Sequence, residues 1–249
     1  TLRHSSAASD VYKRQAPNAG GAGSDRSRRC RHSRSAVYLS SPVIRFLLSM
    51  VVGAWLLISP SPVFAEEQSA VLAGGCFWCM ESDLEKLPGV ISVESGYSGG
   101  SVSEPTYNQV SAETTGHQEV VEVLFDPAKI SYPRLLQSYW RNVDPLDGAG
   151  QFCDRGDSYR PVIFTGDDQQ TSEALASQSA AAMELGVSES ALKVEIKPLE
   201  KFWPAEDYHQ NFAELNSVKY KYYRWACGRD KRLDEVWGDQ ARSGDAWTK

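Results

Sequence analysis

The amino-acid sequence predicts an α/β fold, in which strands and helices alternate within one domain. Two observations support this class. Short apolar runs with a period of two are separated by segments in which apolar residues recur every three or four positions. In addition, 41% of the 249 residues are hydrophobic, which is enough for one sizeable core but not for two.

The first predicted strand covers residues 70–73, and a helical pattern follows as far as Leu87. Cys76 is therefore predicted at a strand-to-helix turn. Gly74 and Gly75 allow a sharp bend there and leave the sulfur accessible. Because the N–H groups at a helix N-terminus stabilise a thiolate, we expect the pKa of this cysteine to be lowered.

A second cysteine, Cys79, lies three positions after Cys76. On the first turn of a helix this spacing brings the two sulfurs close together, as in redox Cys-x-x-Cys motifs. A free cysteine in an apolar run is also often part of a core. The local pattern alone therefore leaves both alternatives open, redox chemistry and packing.

Further along the chain, the same patterns predict four more strands and three more helices. The strands cover residues 89–97, 117–125, 161–165 and 192–196, and the helices cover residues 131–142, 167–185 and 204–215. Loops are predicted over residues 98–115 and 144–158, and the first is long enough to suggest a function. The polar end of the chain, from about residue 239, is expected to be frayed.

The strand over residues 117–125 carries the most information about a possible site. Glu119 lies on its more apolar face, together with Val121 and Val123. If this face packs inward, burial raises the pKa of the carboxyl group and suits it to donate a proton near neutral pH. If the start of the strand is exposed, Glu119 is an ordinary solvated carboxylate, and the spacing alone favours this second alternative.

Charge is unevenly distributed along the chain. Residues 1–65 carry nine basic and two acidic residues, a net charge of +7, whereas the remainder carries 17 basic and 30 acidic residues, a net charge of −13. So acidic a domain is not expected to bind nucleic acid, because phosphate neutralisation requires a basic face. We also expect no metal site, because two histidines and cysteines far apart in the sequence do not form a zinc pattern.

The beginning of the chain has the features of a leader. Residues 1–42 show no hydrophobic period and are expected to be disordered or not part of the natural protein. Residues 43–65 predict a signal peptide, because Arg45 precedes about 13 apolar residues and a small-residue cleavage site. A membrane anchor is the alternative, but it requires about 20 apolar residues.

We therefore expect export, with residues 66–249 forming a single catalytic domain in an oxidising compartment such as a bacterial periplasm.

Several separate motifs follow one another in the mature chain. They are Gly75-Cys76-Phe77-Trp78, Pro105-Thr106-Tyr107, Thr115-Gly116-His117-Gln118-Glu119, Asp154-Arg155-Gly156-Asp157-Ser158-Tyr159-Arg160 and Tyr208-His209-Gln210. Their order and spacing resemble peptide methionine sulfoxide reductase A over about residues 69–238. The resemblance implies a two-layer α/β (α+β) sandwich with a mixed central sheet and flanking helices. It also implies reduction of the S epimer of methionine sulfoxide, free or in proteins, as a repair of oxidised proteins.

The resemblance further implies roles for individual residues. Cys76 would be the nucleophile that attacks the sulfoxide sulfur, and Glu119 would protonate the sulfoxide oxygen. Tyr107 and Tyr159 would donate hydrogen bonds to that oxygen. This assignment is chemically reasonable, because a sulfoxide oxygen is a poor leaving group until it gains a proton.

The substrate pocket is also implied by the resemblance. Phe77 and Trp78 would form an apolar wall for the S-methyl group, and such a wall distinguishes a methyl group from the polar oxygen on the same sulfur. Asp154 would help to fix the substrate.

The reaction leaves Cys76 as a sulfenic acid, which condenses with a nearby thiol. Cys79 is the first choice for this resolving cysteine because it lies one turn away. Cys227 is the second, since a mobile tail could carry it inward, and Cys153 is the third. A thioredoxin-like protein would reduce the resulting disulfide. No other cofactor is expected, and the chain is expected to be a monomer.

Two other functions and two histidines remain to be considered. A thioredoxin-type oxidoreductase would use the Cys-x-x-Cys spacing, but it would leave Glu119 without a role. A noncatalytic module that binds methionine-containing peptides would have an unreactive Cys76. We expect His117 to be a structural donor rather than a base. We expect His209, on a predicted helix, to bond a backbone carbonyl.

Overall fold

The computed structural model describes residues 66–247. The predicted leader and signal peptide, residues 1–42 and 43–65, lie outside this range and stay predictions. Within the described range, no helix is both long enough and apolar enough to cross a membrane.

Strands and helices alternate along the described chain, as the sequence predicts. The strands are β1 (Gln68–Ala73), β2 (Val90–Ser98), β3 (Gln118–Phe125), β4 (Gly150–Gln151), β5 (Asp154–Arg155), β6 (Val162–Thr165), β7 (Glu195–Pro198) and β8 (Trp203–Pro204). The helices are α1 (Phe77–Leu84), α2 (Tyr107–Ser111), α3 (Tyr132–Trp140), α4 (Asp168–Leu185), α5 (Phe212–Leu215), α6 (Ser217–Cys227) and α7 (Arg229–Trp237).

Six strands form one mixed sheet in the order β7-β6-β1-β3-β2-β8. The β6 and β7 strands are parallel, and the other neighbours are antiparallel. At the centre, Leu72 on β1 pairs with Val121 on β3 and with Ile163 on β6. The mixed sheet implied by the resemblance is therefore confirmed.

The helices that build the core pack on one face of this sheet. Because side chains alternate along a strand, Leu72 and Val121 contribute to the main core, whereas their neighbours Val71 and Val120 point to the other face. The main core also contains buried side chains of α1, α3, α4 and α7. On the other face, a smaller cluster is covered by Leu199 and other residues of the segment between β7 and β8. The two-layer arrangement is confirmed.

Both predicted loops contain regular structure. Residues 98–115 include α2, whose first turn is held by a capping box in which the Thr106 N–H donates to Oε1 of Gln109 (2.9 Å). Residues 144–158 include the β4-β5 hairpin. Each loop is therefore better ordered than its polar composition suggests.

The predicted helix over residues 204–215 is wrong. Pro204 belongs to β8, where it pairs with Gly96 of β2. His209 lies in a single 3-10 turn, and Asn211 has a φ of 51°, a left-handed conformation that interrupts a right-handed helix. Only the last four of these residues form an α-helix, α5.

Three further boundaries differ from the predictions. The α1 helix begins at Phe77 and ends at Leu84, three residues before the predicted end. The β7 strand begins at Glu195 rather than at residue 192. The chain is also ordered beyond residue 239, because Ser243 Oγ and the Asp245 carbonyl accept hydrogen bonds from the buried guanidinium of Arg141 (2.9 and 2.7 Å). The prediction of a frayed end is wrong up to residue 247.

Candidate active site

Cys76 lies directly before α1, at the strand-to-helix turn that the sequence predicts. Its carbonyl accepts the Cys79 N–H (3.0 Å), which begins the first turn of the helix. Gly75 has a φ of +83°, and a Cβ atom there would lie 2.6 Å from Cβ of Gln151. The turn therefore requires glycine at this position. The expectation of an accessible sulfur is wrong, because Cys76 is only 6% exposed.

The thiols of Cys76 and Cys79 are both free, and both side chains belong to one buried cluster. Burial raises the pKa of Cys76 well above its usual value, and the neighbouring Cys79 and Glu119 raise it further. The neighbouring Cys76 thiol instead lowers the pKa of Cys79. The expected low pKa of Cys76 is therefore wrong for the substrate-free site, because burial outweighs the helix N-terminus.

Glu119 is buried on β3, on the face that packs against α1. It is 3% exposed, and its Oε2 accepts the Phe77 N–H (3.1 Å). Burial raises the pKa of its carboxyl group to about 8, against smaller opposing effects that include this hydrogen bond and the nearby Tyr159 hydroxyl. Glu119 is therefore largely protonated at pH 7 and can donate a proton, and the exposed alternative is wrong.

Tyr107 and Tyr159 meet at the same pocket from two different segments. Tyr107 is the first residue of α2, and Tyr159 ends a 3-10 turn that precedes β6. Both tyrosines line the cavity together with Glu119. Burial raises the pKa of both hydroxyl groups, so both remain protonated donors at neutral pH.

Aromatic rings form one wall of the pocket. The rings of Trp78 and Phe212 are stacked with centroids 3.7 Å apart. The indole Nε1 of Trp78 donates to Nδ1 of His209 (3.2 Å), and the His209 ring lies 4.8 Å from the ring of Phe77. The expectation that His209 bonds a backbone carbonyl is therefore wrong, because this imidazole fixes the orientation of the indole.

Tyr223, on α6, is part of the site although the sequence analysis did not single it out. Its hydroxyl donates to Oδ2 of Asp154 (2.6 Å), and its side chain lines the cavity together with Cys76. Its ring meets that of Trp78 edge-on, with centroids 6.0 Å apart. Its position one helical turn before Cys227 could have indicated that Tyr223 lies near that cysteine. This inference requires α6, which the sequence analysis did not predict.

Glu206 is a second residue that sequence reasoning missed. Its Oε1 accepts the backbone N–H of Tyr107 (2.9 Å), and its Oε2 accepts the hydroxyl of Tyr97 (2.9 Å). This carboxylate therefore fixes the start of α2 against the sheet and holds Tyr107 in the pocket. No short motif marks such a contact between distant residues.

The other two cysteines of the described chain form a disulfide, Cys153–Cys227. Cys227 ends α6 rather than lying in a mobile tail, so that expectation is wrong. With Asp154, these cysteines form the one cluster in residues 66–247 whose ligand-type atoms lie close enough for a metal ion. The cysteines are thus adjacent in space despite their distance in sequence, but a disulfide lacks the thiolates that a metal would bind.

His117 lies outside this group. It is 2% exposed, and neither ring nitrogen has a hydrogen-bond partner among residues 66–247, so the expected structural hydrogen bond is not found there. Burial lowers the pKa of the imidazole and keeps it neutral.

The pocket itself is a small cavity of about 80 Å³. It is lined by Cys76, Phe77, Trp78, Tyr107, Glu119, Asp154, Tyr159 and Tyr223. A nucleophilic sulfur, a neutral carboxylic acid and phenolic donors thus face one space with an aromatic wall. The fold and the site define an oxidoreductase that uses cysteine thiols and an acid catalyst.

Comparison with known proteins agrees with this class. The profile of the family described as peptide methionine sulfoxide reductase matches residues 68–241. A Vibrio cholerae protein named peptide methionine sulfoxide reductase MsrA/MsrB is 51% identical over 174 residues, which cover 70% of this chain and 46% of that protein. The chain belongs to the peptide methionine sulfoxide reductase family.

Two further relatives extend the comparison. Peptide methionine sulfoxide reductase MsrA 2 of Caulobacter vibrioides is 48% identical over 181 residues, which cover 72% of this chain and 90% of that protein. The structure of methionine sulfoxide reductase A of Corynebacterium diphtheriae superposes with a TM-score of 0.58 at 28% identity, covering 64% of this chain and 78% of that one. The chain thus spans less than half of the Vibrio cholerae relative but most of the Caulobacter one. The thioredoxin-type alternative is wrong, because the chain belongs to a different family.

Proposed function

We propose that this chain reduces methionine S-sulfoxide, free or within oxidised proteins, to methionine. The observation that carries the proposal is the meeting of the Cys76 thiol with the protonated carboxyl of Glu119 in a small aromatic pocket. The pocket accommodates a small apolar group beside polar donors, as an S-methyl sulfoxide requires.

Glu119 supplies what the sulfoxide lacks. Sulfur–oxygen cleavage requires the oxygen to gain a proton, and a carboxylic acid with a pKa of about 8 is a proton donor at pH 7. Tyr107 and Tyr159 present hydroxyl groups toward the same space. A neutral Glu119 also favours formation of the Cys76 thiolate. If Glu119 were ionised, its negative charge would raise the pKa of Cys76 further.

The first step then balances as follows. The thiolate of Cys76 attacks the sulfoxide sulfur while Glu119 protonates the oxygen. The hydroxyl group is transferred to the Cys76 sulfur, which leaves methionine and a Cys76 sulfenic acid, so the cysteine is oxidised and the substrate reduced. In the second step a thiolate attacks the Cys76 sulfur, hydroxide leaves as water after taking a proton, and a disulfide forms.

We propose Cys79 as the thiol of the second step. Its thiol is free and buried in the same cluster as Cys76, and its pKa is lowered. Cys153 and Cys227 are already joined to each other, so each would have to be released by exchange before it could resolve Cys76. We therefore propose Cys79 as the resolving cysteine ahead of Cys227 and Cys153.

We also propose a thioredoxin-like protein as the electron donor, because thiol exchange returns a Cys76–Cys79 disulfide to the dithiol without another cofactor. Export to an oxidising compartment is proposed from the leader sequence, and a Cys153–Cys227 disulfide is compatible with such a compartment. The monomeric state is likewise a proposal.

The test is mass spectrometry with peptide mapping of the full chain, after one turnover with a methionine S-sulfoxide peptide and without reductant. We expect loss of oxygen from the peptide and a new Cys76–Cys79 disulfide. A link from Cys76 to Cys227 or Cys153 would keep the reaction and replace Cys79 as resolver. An unchanged peptide with Cys76 still reduced would refute the reductase function. Cys76→Ser is the control, and it should leave the peptide oxidised.

A further inference from the structure

Burial keeps the proposed nucleophile, Cys76, in its protonated thiol form. Only a thiolate attacks efficiently, yet burial raises the pKa of Cys76 well above its usual value. The proton must therefore be accepted by a neighbouring group as the sulfur reacts. Glu119 cannot accept it, because the proposed reaction requires this residue as a proton donor.

The geometry points to Tyr223 as a further catalytic residue, whose hydroxyl passes the Cys76 proton to Asp154. This inference rests on the proposed function and extends it. Cys76 and Tyr223 line the same cavity, and Tyr223 packs against the buried cluster that contains Cys76. The Tyr223 hydroxyl donates to Oδ2 of Asp154 at 2.6 Å. A phenol in this position can receive one proton while it releases another.

The proton transfer balances without an added reagent. The Cys76 S–H proton moves to the Tyr223 oxygen, while the Tyr223 O–H proton moves to the Asp154 carboxylate. Asp154 then holds the proton and donates a hydrogen bond to Tyr223, which donates in turn to the Cys76 thiolate. When Cys79 later displaces hydroxide from Cys76, this proton returns through Tyr223 and leaves as water, and the Cys79 proton restores Glu119.

Two features of the fold keep these side chains in place. The Tyr223 ring packs edge-on against Trp78, which prevents the hydroxyl from turning away. The Cys153–Cys227 disulfide also joins the two segments that carry the relay, because Cys153 precedes Asp154 and Cys227 lies one turn after Tyr223. The acceptor and the bridging phenol are thus fixed relative to each other.

Other ionisable groups face the relay and shape its pH dependence. Cys79 and Glu119 face Cys76, while the guanidinium groups of Arg229 and Arg155 act on Asp154. Burial raises the pKa of Asp154, which helps it to hold a transferred proton, and the two arginines and the Tyr223 hydrogen bond oppose this effect. Tyr107 and Tyr159 lie near Glu119 and remain protonated.

The test compares Tyr223→Phe with wild type in a single turnover without reductant, using a saturating methionine S-sulfoxide peptide and counting methionine formed. This readout precedes disulfide formation and so does not depend on the resolving cysteine. We expect the rate at pH 7 to fall about 10²-fold, the lower end of the usual effect of proton transfer by a side chain. The matched control is Tyr222→Phe, because Tyr222 is the adjacent tyrosine of α6 and is 69% exposed.

The pH profile separates a relay from a merely structural role. The Tyr223→Phe rate should rise with pH up to about 8, because the fraction of Cys76 present as thiolate grows, and level off above it, because the ionisation of Glu119 then offsets further growth. Wild type should lack the rising limb between pH 6 and 8. An equal loss of rate at every pH, or an unchanged rate, would overturn the relay.

A second variant tests the acceptor. Asp154→Asn keeps a hydrogen-bond acceptor for Tyr223 but cannot take up a proton, so its saturated single-turnover rate should fall by a similar factor. A higher KM with an unchanged saturated rate would assign Asp154 to substrate fixing alone and overturn the relay. An inactive wild-type chain would instead refute the proposed function itself.

Discussion

Replacing Glu119 with glutamine should slow turnover severely and also stabilise the folded chain, by an amount that depends on pH. Glutamine keeps the shape of the side chain and an acceptor for the Phe77 N–H. It removes the proton donor, so we expect the rate of sulfoxide reduction to fall by a factor of about 10² to 10⁴. The activity control is Glu122→Gln, on the opposite face of the same strand, which should stay active.

The stability gain follows from the raised pKa. Below pH 4.5 the carboxyl is protonated in both the folded and the unfolded chain, and the two proteins should be equally sensitive to pH. Between pH 4.5 and about 8, the unfolded carboxyl ionises while the folded one keeps its proton, so wild type loses stability relative to the variant. Above about pH 8 the folded carboxyl ionises as well, and the difference stops growing.

The size of this gain can be worked from the same values. A tenfold change in proton affinity corresponds to about 1.4 kcal/mol, so a rise in pKa from 4.5 to about 8 costs the wild-type fold a few kcal/mol at alkaline pH. Urea unfolding of both proteins between pH 4 and 9 measures the difference directly. A difference that is flat across this range would refute the buried, neutral state of Glu119.

Three further predictions concern the support of the site and of the fold. Glu206→Ala should lower kcat about tenfold, because the backbone N–H of Tyr107 loses its acceptor. Steady-state kinetics test this prediction, with Glu200→Ala at an exposed position as the control. A kcat of Glu206→Ala equal to that of wild type would contradict it. Replacing both Cys153 and Cys227 with serine should lower the free energy of unfolding by about 4 kcal/mol, because their disulfide closes a loop with a sequence separation of 74. An unchanged midpoint of urea unfolding would show that the disulfide contributes nothing to stability. Ending the chain after residue 241 should lower the free energy of unfolding by a few kcal/mol in the same assay, because Arg141 loses its acceptors on Ser243 and Asp245. A free energy of unfolding equal to that of wild type would contradict these contacts.

The parts of the fold that the sequence predicts are those with a strong local pattern. The alternation along β3 identifies the face that carries Glu119, and the helix over Asp168–Leu185 follows from Asp167 and Gly186, which cap its two ends. The turn at Cys76 follows from two glycines between an apolar run and a helix. Each of these features depends on residues only a few positions apart.

The remaining features depend on tertiary contacts, or lie in segments whose apolar residues do not mark the buried face. The apolar residues of α6 do not identify a buried face, because Val218, Tyr222 and Trp225 are exposed and Tyr220 is the buried residue of this helix. Without that helix, neither Tyr223 nor the pairing of Cys227 with a distant cysteine can be found. The sign of the Cys76 pKa shift likewise depends on burial by neighbouring elements.

The contacts of the buried Arg141 with residues 243–245 have a consequence for the timing of folding. This guanidinium is fully buried, and besides the Glu184 carboxylate its partners include Ser243 and Asp245, more than a hundred residues later. A chain still being synthesised cannot make these contacts until residues 243–245 have left the ribosome. The guanidinium of Arg141 therefore gains its native set of partners only after that segment has emerged, and this part of the core is among the last to close.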